Sequence, residues 1–446
     1  MIVPKSDSMI GFFSRIVPRG KLSRDITWTI GSFGFLALSG LIINVAVVGL
    51  RDAESLGVFN LAYAVYMVAS QFAVWGIHYS ILRSSSYHSA SAKKRGLLLG
   101  TALSLALLCG AASATALFFI APWLGFVFKS VPTGEAIALA SFGLLLFPLN
   151  KVLVAYVNAL RHMRAFAALQ VLRYLGVMVW VVGVCISKNP FAWTALGFLF
   201  AEMMTATAAV IYLGSASLLR YLRWSTNLAR RHIYFGSKSL LSGLLAETNS
   251  RLDVLLIGFF FNQFAVGVYS FAAMLVDGLY HVLAMVRVNF NPILVATVRD
   301  SRWAEGMQLL RLTRRYGFAA TLTLSFGILI IFWVLTDLIV PEKGLKGGMW
   351  SLIILLTGLS LVSGFIPFDN LLMVTGYPFY QTLQNVSVVM VNALVNILLV
   401  PYIGIEGAAL ATAISYIAGI AMLILLAKRL IGWNLLTNRV SGPACA

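Results

Sequence analysis

The sequence predicts an all-α polytopic membrane protein, with about twelve transmembrane helices in two six-helix lobes related by a parallel internal repeat. Three observations predict it: the composition, the regular succession of apolar runs, and the alternation of basic charge between the loops joining them. Of 446 residues, 60% are hydrophobic and 11% charged, with a mean hydropathy of +0.90. A soluble domain carries about a quarter charged residues, so too little polar surface is available here to cover a soluble core. The net charge of +18 does not make a nucleic-acid face, because the basic residues lie in short clusters between apolar runs. The three cysteines have no ligand or disulfide spacing.

In chain order, apolar runs place spans near 26–50, 56–80, 96–120, 136–160, 166–187 and 191–214. A second set lies near 233–260, 265–298, 314–339, 347–375, 378–400 and 403–427. The chain thus divides into a basic, interfacial cytoplasmic segment (1–25), a first lobe (26–214), a basic cytoplasmic linker (215–232), a second lobe (233–427) and a cytoplasmic tail (428–446). The opening residues, with Phe12, Phe13, Arg15, Ile16, Arg19 and Lys21, read as an interfacial segment and not as a cleaved leader. Asn291-Pro292, late in the eighth span, should kink or end that helix.

Most of the 33 basic residues fall in alternate connections. One side holds the clusters Arg15 to Arg24, Arg83 to Arg95, Arg161 with Arg164, Arg220 to Arg231, Arg299 to Arg315, and Lys428 with Arg429 and Arg439. The opposite loops hold Arg51, Lys129, Lys188, Lys343 and Lys346. Short loops rich in Lys and Arg stay cytoplasmic, which puts both termini inside. The outer loops are too short to hold a catalytic domain. No phosphate-cradling loop, zinc-protease motif or nucleophile elbow occurs, and Gly236-Ser237-Lys238-Ser239 lacks the spacing of a phosphate loop. No cofactor and no metal are expected.

The repeat is legible in three places. Gly31-Ser32 opens the first span and Gly236-Ser237 the seventh. Leu56-Gly57-Val58-Phe59 begins the second and Val266-Gly267-Val268-Tyr269 the eighth, while Phe166-x-x-Leu169-Gln170 in the fifth matches Tyr380-x-x-Leu383-Gln384 in the eleventh. Each pair joins helices six spans apart in the same orientation. Two parallel lobes then share an axis along the membrane normal, with a substrate path between them. Pro148, Pro367 and Pro378 suit turns, packing or kinks.

A charge inside the hydrocarbon costs about 3 kcal/mol or more and should face protein or a wet cavity. The basic residues within spans are Lys151, Arg173, Lys238, Arg251 and Arg287. They are the candidates for a cationic cavity that holds an anionic head group. Lys238 lies within two turns of the cytoplasmic end, where snorkelling is the competing account. Glu247 and Arg251 stand four apart and form an intrahelical pair on the competing reading. Lys151 and Arg251 lie deepest, on the order of 10 Å from the nearer interface. Acidic residues inside spans are Glu202, Glu247, Asp253, Asp277 and Asp369; among them Asp277, Glu202 and Glu247 are candidates to bind a coupling ion. His281 shares a helix face with Asp277.

Two stretches carry a resemblance. Pro401-x-x-Gly404-Ile405-x-Gly407-Ala408-Ala409-x-Ala411-Thr412-x-Ile414-Ser415-Tyr416 is one, and Arg251-Leu252-Asp253-Val254-Leu255-Leu256-Ile257-Gly258 followed by Val266-Gly267-Val268-Tyr269-Ser270 is the other. Both resemble polysaccharide exporters of the multidrug/oligosaccharidyl-lipid/polysaccharide superfamily, most closely its Wzx-type O-antigen flippase branch. That resemblance implies a bacterial inner-membrane flippase for undecaprenyl-pyrophosphate-linked oligosaccharides, serving O-antigen, lipopolysaccharide or exopolysaccharide assembly by alternating access between two lobes. It implies the bilayer and the lipid-linked sugar as partners, with a polymerase and chain-length proteins beside them. Lipid II flippases of the superfamily carry two further spans, and none is visible here. The cation-coupled multidrug exporters share twelve spans and remain the alternative. A membrane-embedded polymerase or glycosyltransferase is disfavoured by the short outer loops.

Overall fold

The structure, a computed structural model, describes residues 21–87, 92–187, 189–214, 222–341 and 343–440. The expected interfacial segment and linker therefore lie largely outside the described residues, as does the end of the tail.

The first lobe comprises α1 (Lys21–Leu50), α2 (Ala53–Val74), α3 (Ile77–Tyr87), α4 (Ala92–Val127), α5 (Val131–Ser141), α6 (Phe147–Ala159), α7 (Met163–Ser187) and α8 (Leu196–Gly214). The second span is α2 and α3 together, interrupted where Trp75 and Gly76 both take positive φ. The fourth is α5 and α6, bent by 43° at a 3₁₀ turn over Phe142–Leu145, with Pro148 in the first turn of α6. Proline suits that position because its missing N–H is one that the helix start leaves unpaired anyway.

The second lobe comprises α9 (Thr226–Phe260), α10 (Gln263–Arg299), α11 (Trp303–Leu312), α12 (Phe318–Val334), α13 (Met349–Val362), α14 (Leu371–Val374), α15 (Pro378–Ile403) and α16 (Ile405–Leu430). α10 runs on past Asn291-Pro292 to Arg299, so the proline does not terminate it. The tenth span is broken like the fourth: α13 ends at Val362, and a 3₁₀ turn over Ile366–Phe368 carries Pro367 in its first turn. Prolines thus start new helical segments at equivalent places in both lobes.

Ten described helices are long and apolar enough to cross a membrane, and the bent pair α5–α6 makes an eleventh. The twelfth is α9, whose 35 residues give ample length but whose charges, Lys238, Glu247, Arg251 and Asp253, keep it out of the apolar class. The most polar span is the one that carries the deepest cation.

The repeat is physical as well as textual. Asp52 caps α2 by accepting a hydrogen bond from the Ser55 N–H at 2.6 Å. Asn262 caps α10 in the same way, from the Ala265 N–H at 3.0 Å. The two capped helices cross at the end opposite the basic loops. There, a methyl group on Gly57 would stand 1.7 Å from the Gln263 carbonyl oxygen, and one on Gly267 would stand 1.9 Å from that of Ala53. Only glycine lets the backbones approach so closely, and the contact is reciprocal, as a two-fold axis along the bundle requires.

At the basic end the symmetry is broken. Gly236 on α9 meets the Trp75 carbonyl oxygen, where a methyl group would come to 2.1 Å, and Trp75 Nε1 donates to Ser237 Oγ at 3.0 Å. The equivalent glycine on α1, Gly31, has nothing within 4 Å, nor have Gly34 on α1 and Gly278 on α10. α1 packs chiefly on α7 instead. The lobes are therefore closed at one end and, at the other, closed along α2–α9 and more loosely packed between α1 and α10.

Beyond α16, β1 (Trp433–Asn434) and β2 (Arg439–Val440) form a small antiparallel hairpin, where the sequence suggests only a tail. Trp433 is fully buried, edge-on to Phe368 at 5.9 Å and to Trp303 at 6.1 Å. This hairpin ties the basic ends of α11, α14 and α16 together.

Candidate functional site: a charged chamber between the lobes

The break before α6 aims two consecutive residues in different directions. Asn150 turns toward α8, where its amide donates to the Glu202 backbone carbonyl at 2.7 Å and to Glu202 Oε2 at 2.6 Å. Arg173 from α7 reaches the same carboxylate at 3.0 Å. Arg173 and Glu202 are both buried, at 8% and 3% exposure. Removing one member of such a pair costs about 3–5 kcal/mol, because it strands a buried charge. Lys151 follows Asn150 by about 100° of helix rotation. Its ammonium lies 5.2 Å from the Phe147 ring centre, and the Arg173 guanidinium lies 5.0 Å from the same ring. Among the described residues no carboxylate lies within ion-pair distance of Lys151.

Across the chamber, α9 presents Arg251. Its nearest carboxylate is Glu247, at 3.5 Å from Nε, and its guanidinium lies over the ring of Tyr63 from the opposite lobe at 4.8 Å. Tyr63 in turn stacks on Phe198 at 5.6 Å. Cation and ring face each other across the lobe boundary, which holds the arginine extended without neutralising it. Tyr63 is in electrostatic reach of Arg251, Glu247, Arg173 and Asp277, groups drawn from both lobes.

Asp277 and His281 on α10 are exposed although both lie mid-span. A carboxylate facing lipid at that depth carries a penalty of about 3 kcal/mol, so the exposure is to the more loosely packed side of the chamber. Toward the basic end, Arg287 donates to Asp369 Oδ2 at 2.8 Å, and Gln384 Nε2 donates to Asp369 Oδ1 at 3.1 Å. Asp369 follows Pro367 by two residues, as Asn150 follows Pro148. Lys238 stands apart: it is exposed near the basic end, 4.2 Å from the Tyr234 ring.

Of the sequence candidates, Arg173 pairs with Glu202, Arg251 with Glu247 and Arg287 with Asp369, while Lys151 shares the Phe147 ring with Arg173 and Asp277 is exposed on α10. Asn150, Tyr63 and Asp369 are the further partners of these groups. A second polar cluster lies behind Arg251. Asp253 accepts hydrogen bonds from Tyr269 Oη at 2.7 Å, from Asn396 Nδ2 at 2.9 Å and from Thr412 Oγ1. Asn396 also donates to Asn392 Oδ1 at 2.8 Å, while its own buried Oδ1 has no donor. No cation pairs with Asp253 among the described residues. The signal for this cluster was present in the sequence: Asp253 and Thr412 lie inside the two stretches that carry the family resemblance. No group of three or more His, Cys, Asp or Glu suited to a metal occurs among the described residues.

Two parallel lobes, a glycine crossing at one end and charged groups between them define a polytopic α-helical membrane protein. Residues 50–343 match the family model described as polysaccharide biosynthesis protein, and the chain belongs to that family. The fold is similar to that of the lipid II flippase MurJ in an inward closed conformation, with a TM-score of 0.72, 13% identity, and coverage of 90% of this chain and 87% of that one. It is also similar to an inward-facing multidrug-resistance MATE transporter, with a TM-score of 0.70, 12% identity, and coverage of 87% and 93%. A third likeness is to a superfamily transporter from Pyrococcus furiosus whose binding pocket is described as of reverse polarity, with a TM-score of 0.62, 13% identity, and coverage of 92% and 96%. No curated protein matches the sequence.

Proposed function

We propose that this protein flips a lipid-linked oligosaccharide with a pyrophosphate head group across the bacterial inner membrane, by rocking of the two lobes, and performs no bond chemistry itself. The observation that carries this reading is the unneutralised Lys151, facing the chamber opposite the Arg251 guanidinium. Both side chains offer donors to phosphate, lysine as a point charge and arginine as a fork. The lipid tail stays in the bilayer and passes the more loosely packed edge between α1 and α10, so only the head needs the wet path. The basic loops face the cytoplasm on this reading, and the protein supplies one of the surface polymers, as O-antigen, lipopolysaccharide or exopolysaccharide. A polymerase and chain-length proteins then act on the exported unit.

Deleting the gene should abolish surface polymer while lipid-linked repeat units accumulate on the inner leaflet, as assayed by extraction and by access of an externally added sugar-specific lectin to membrane vesicles of each orientation. Absence of any lipid-linked unit would mean an enzyme of synthesis and would reject the flippase reading. The exposed Asp277 favours a second reading, the cation-coupled multidrug exporter, in which an acidic group receives an organic cation. Uptake of such a cation into inverted vesicles that ceases in Asp277→Asn would select it.

On either reading the coupling ion finds its best place at Asp253. That half-buried carboxylate has hydroxyl and amide neighbours and no basic partner among the described residues, which suits a proton or a monovalent cation. Glu202 and Glu247, by contrast, already face arginines. Asp253→Asn should reduce gradient-driven transport roughly a hundredfold, about 3 kcal/mol of lost coupling, while passive exchange of substrate persists. Wild-type accumulation in that variant under imposed sodium or proton gradients would remove Asp253 from the coupling path.

A further inference from the structure

We propose that Glu247 is a built-in placeholder anion, balancing the cations of the two lobes while the chamber is empty and yielding them to the substrate's phosphates. The inference rests on the flippase reading above and adds a residue that promotes release rather than binding.

Three arginines of the chamber face carboxylates, and the three contacts differ in kind. Arg173–Glu202 at 3.0 Å and Arg287–Asp369 at 2.8 Å are hydrogen-bonded, each with a further amide on the carboxylate. The Arg251–Glu247 contact is longer, 3.5 Å, and among the described residues no amide adds a second hold on that carboxylate. Both side chains are partly exposed, at 25% for Arg251 and 21% for Glu247, as are Arg287 and Asp369 at 21% and 28%. The arginine is steadied from below by the Tyr63 ring, not by its carboxylate. The other two carboxylates are each held by an arginine and an amide; Glu247 is held by one long contact, which makes it the easiest of the three to displace.

Glu247 also has a second neighbour. It lies one turn from Arg251 on α9 and within electrostatic reach of Lys151 on α6, so its charge acts on a cation from each lobe. Without that anion, positive charge on both lobes would be less well balanced in the empty state. A partly exposed carboxylate in that position offsets it and competes with an incoming phosphate. Tight uniform binding slows a cycle that must also release its cargo, because it stabilises the loaded ground state without helping the step that follows. A competitor fixed to the wall restores the empty state after each turn.

The test uses the purified full chain in lipid nanodiscs, with geranyl pyrophosphate as probe, together with export in cells. Glu247→Gln keeps shape and removes charge. It should tighten geranyl pyrophosphate binding about tenfold, given the repulsion of a nearby carboxylate in a partly dry space. Export per molecule should fall at the same time, with half-saturation at lower substrate. Glu247→Asp keeps the charge and should bind and export within about twofold of wild type. Unchanged or weaker binding in Glu247→Gln would overturn the proposal and leave Glu247 as a structural partner of Arg251. If Glu247→Gln does not accumulate, Glu247→Asp still decides, because tighter binding with a full charge in place contradicts competition. Wild-type binding that is insensitive to Lys151→Ala would instead refute the flippase reading itself, an outcome separate from either of these.

Discussion

Lys151→Ala is expected to abolish export, with the amount of protein in the membrane unchanged. The ammonium makes no ion pair among the described residues, so its removal strands no buried carboxylate and should leave folding intact. What is lost is a cation facing the head group in a partly dry space. A charge-assisted contact to phosphate there is worth about 2–3 kcal/mol, or a factor of roughly 30 to 150 in transport at limiting substrate. Lys151→Arg should keep a substantial part of the activity, because it keeps the charge. Arg251→Ala should lose export too, and Arg251→Ala with Glu247→Ala separates its roles. If the arginine served only to satisfy Glu247, the double variant would regain export. The measurement is surface polymer per unit of membrane protein. Equal loss of protein and polymer in Lys151→Ala would overturn its binding role.

The second large effect lies far from the charges. Gly57→Ala and Gly267→Ala each place a methyl group within 2 Å of a carbonyl oxygen across the lobe boundary. Helix α2 and helix α10 must then separate at the end opposite the basic loops. Overpacking of this kind costs about 1–3 kcal/mol, enough to shift a two-state equilibrium by a factor of roughly 5 to 150. Both variants should therefore populate conformations open at that end and export poorly. A cysteine at position 277, in a chain whose own cysteines are replaced, should become labelled by an impermeant maleimide added on that side. Gly183→Ala is the control, since nothing lies within 4 Å of its added methyl group. Unaltered labelling in Gly57→Ala would mean that the crossing is not a gate.

The glycine crossing shows how far the sequence alone reaches. The matching quartets around Gly57 and Gly267 are visible as text, and duplication predicts that equivalent positions meet at a shared axis. The spans were legible for a similar reason, since length and apolarity suffice. The two broken helices were not, because Pro148 and Pro367 are equally compatible with a kink, a turn or a helix start. Within the site, Glu247 and Arg251 could be paired from their spacing, because neighbours four apart meet on any helix. Arg173 and Glu202 could not, for their contact depends on how α7 and α8 are rotated against each other. The polar cluster around Asp253 was not legible for a related reason: its hydroxyl and amide donors come from three other helices. Lys151 could be placed deep, but that Asn150 bonds Glu202 while Lys151 makes no ion pair with it is a matter of one residue's rotation.

The polarity of α9 also bears on how the chain is made. A helix leaves the insertion machinery for lipid according to its own hydrophobicity, and each Lys, Arg or Asp near its middle costs about 3 kcal/mol in that transfer. With Lys238, Arg251 and Asp253 in its length, α9 is a poor substrate for insertion by itself. Its compensations are supplied by helices made before and after it: Tyr63 of α2 over Arg251, and Asn396 of α15 and Thr412 of α16 on Asp253. The first of these is already in the membrane when α9 emerges, while the others come later. The seventh span must therefore wait at the protein–lipid boundary until the last two helices arrive, and membrane insertion of the second lobe becomes a single cooperative event.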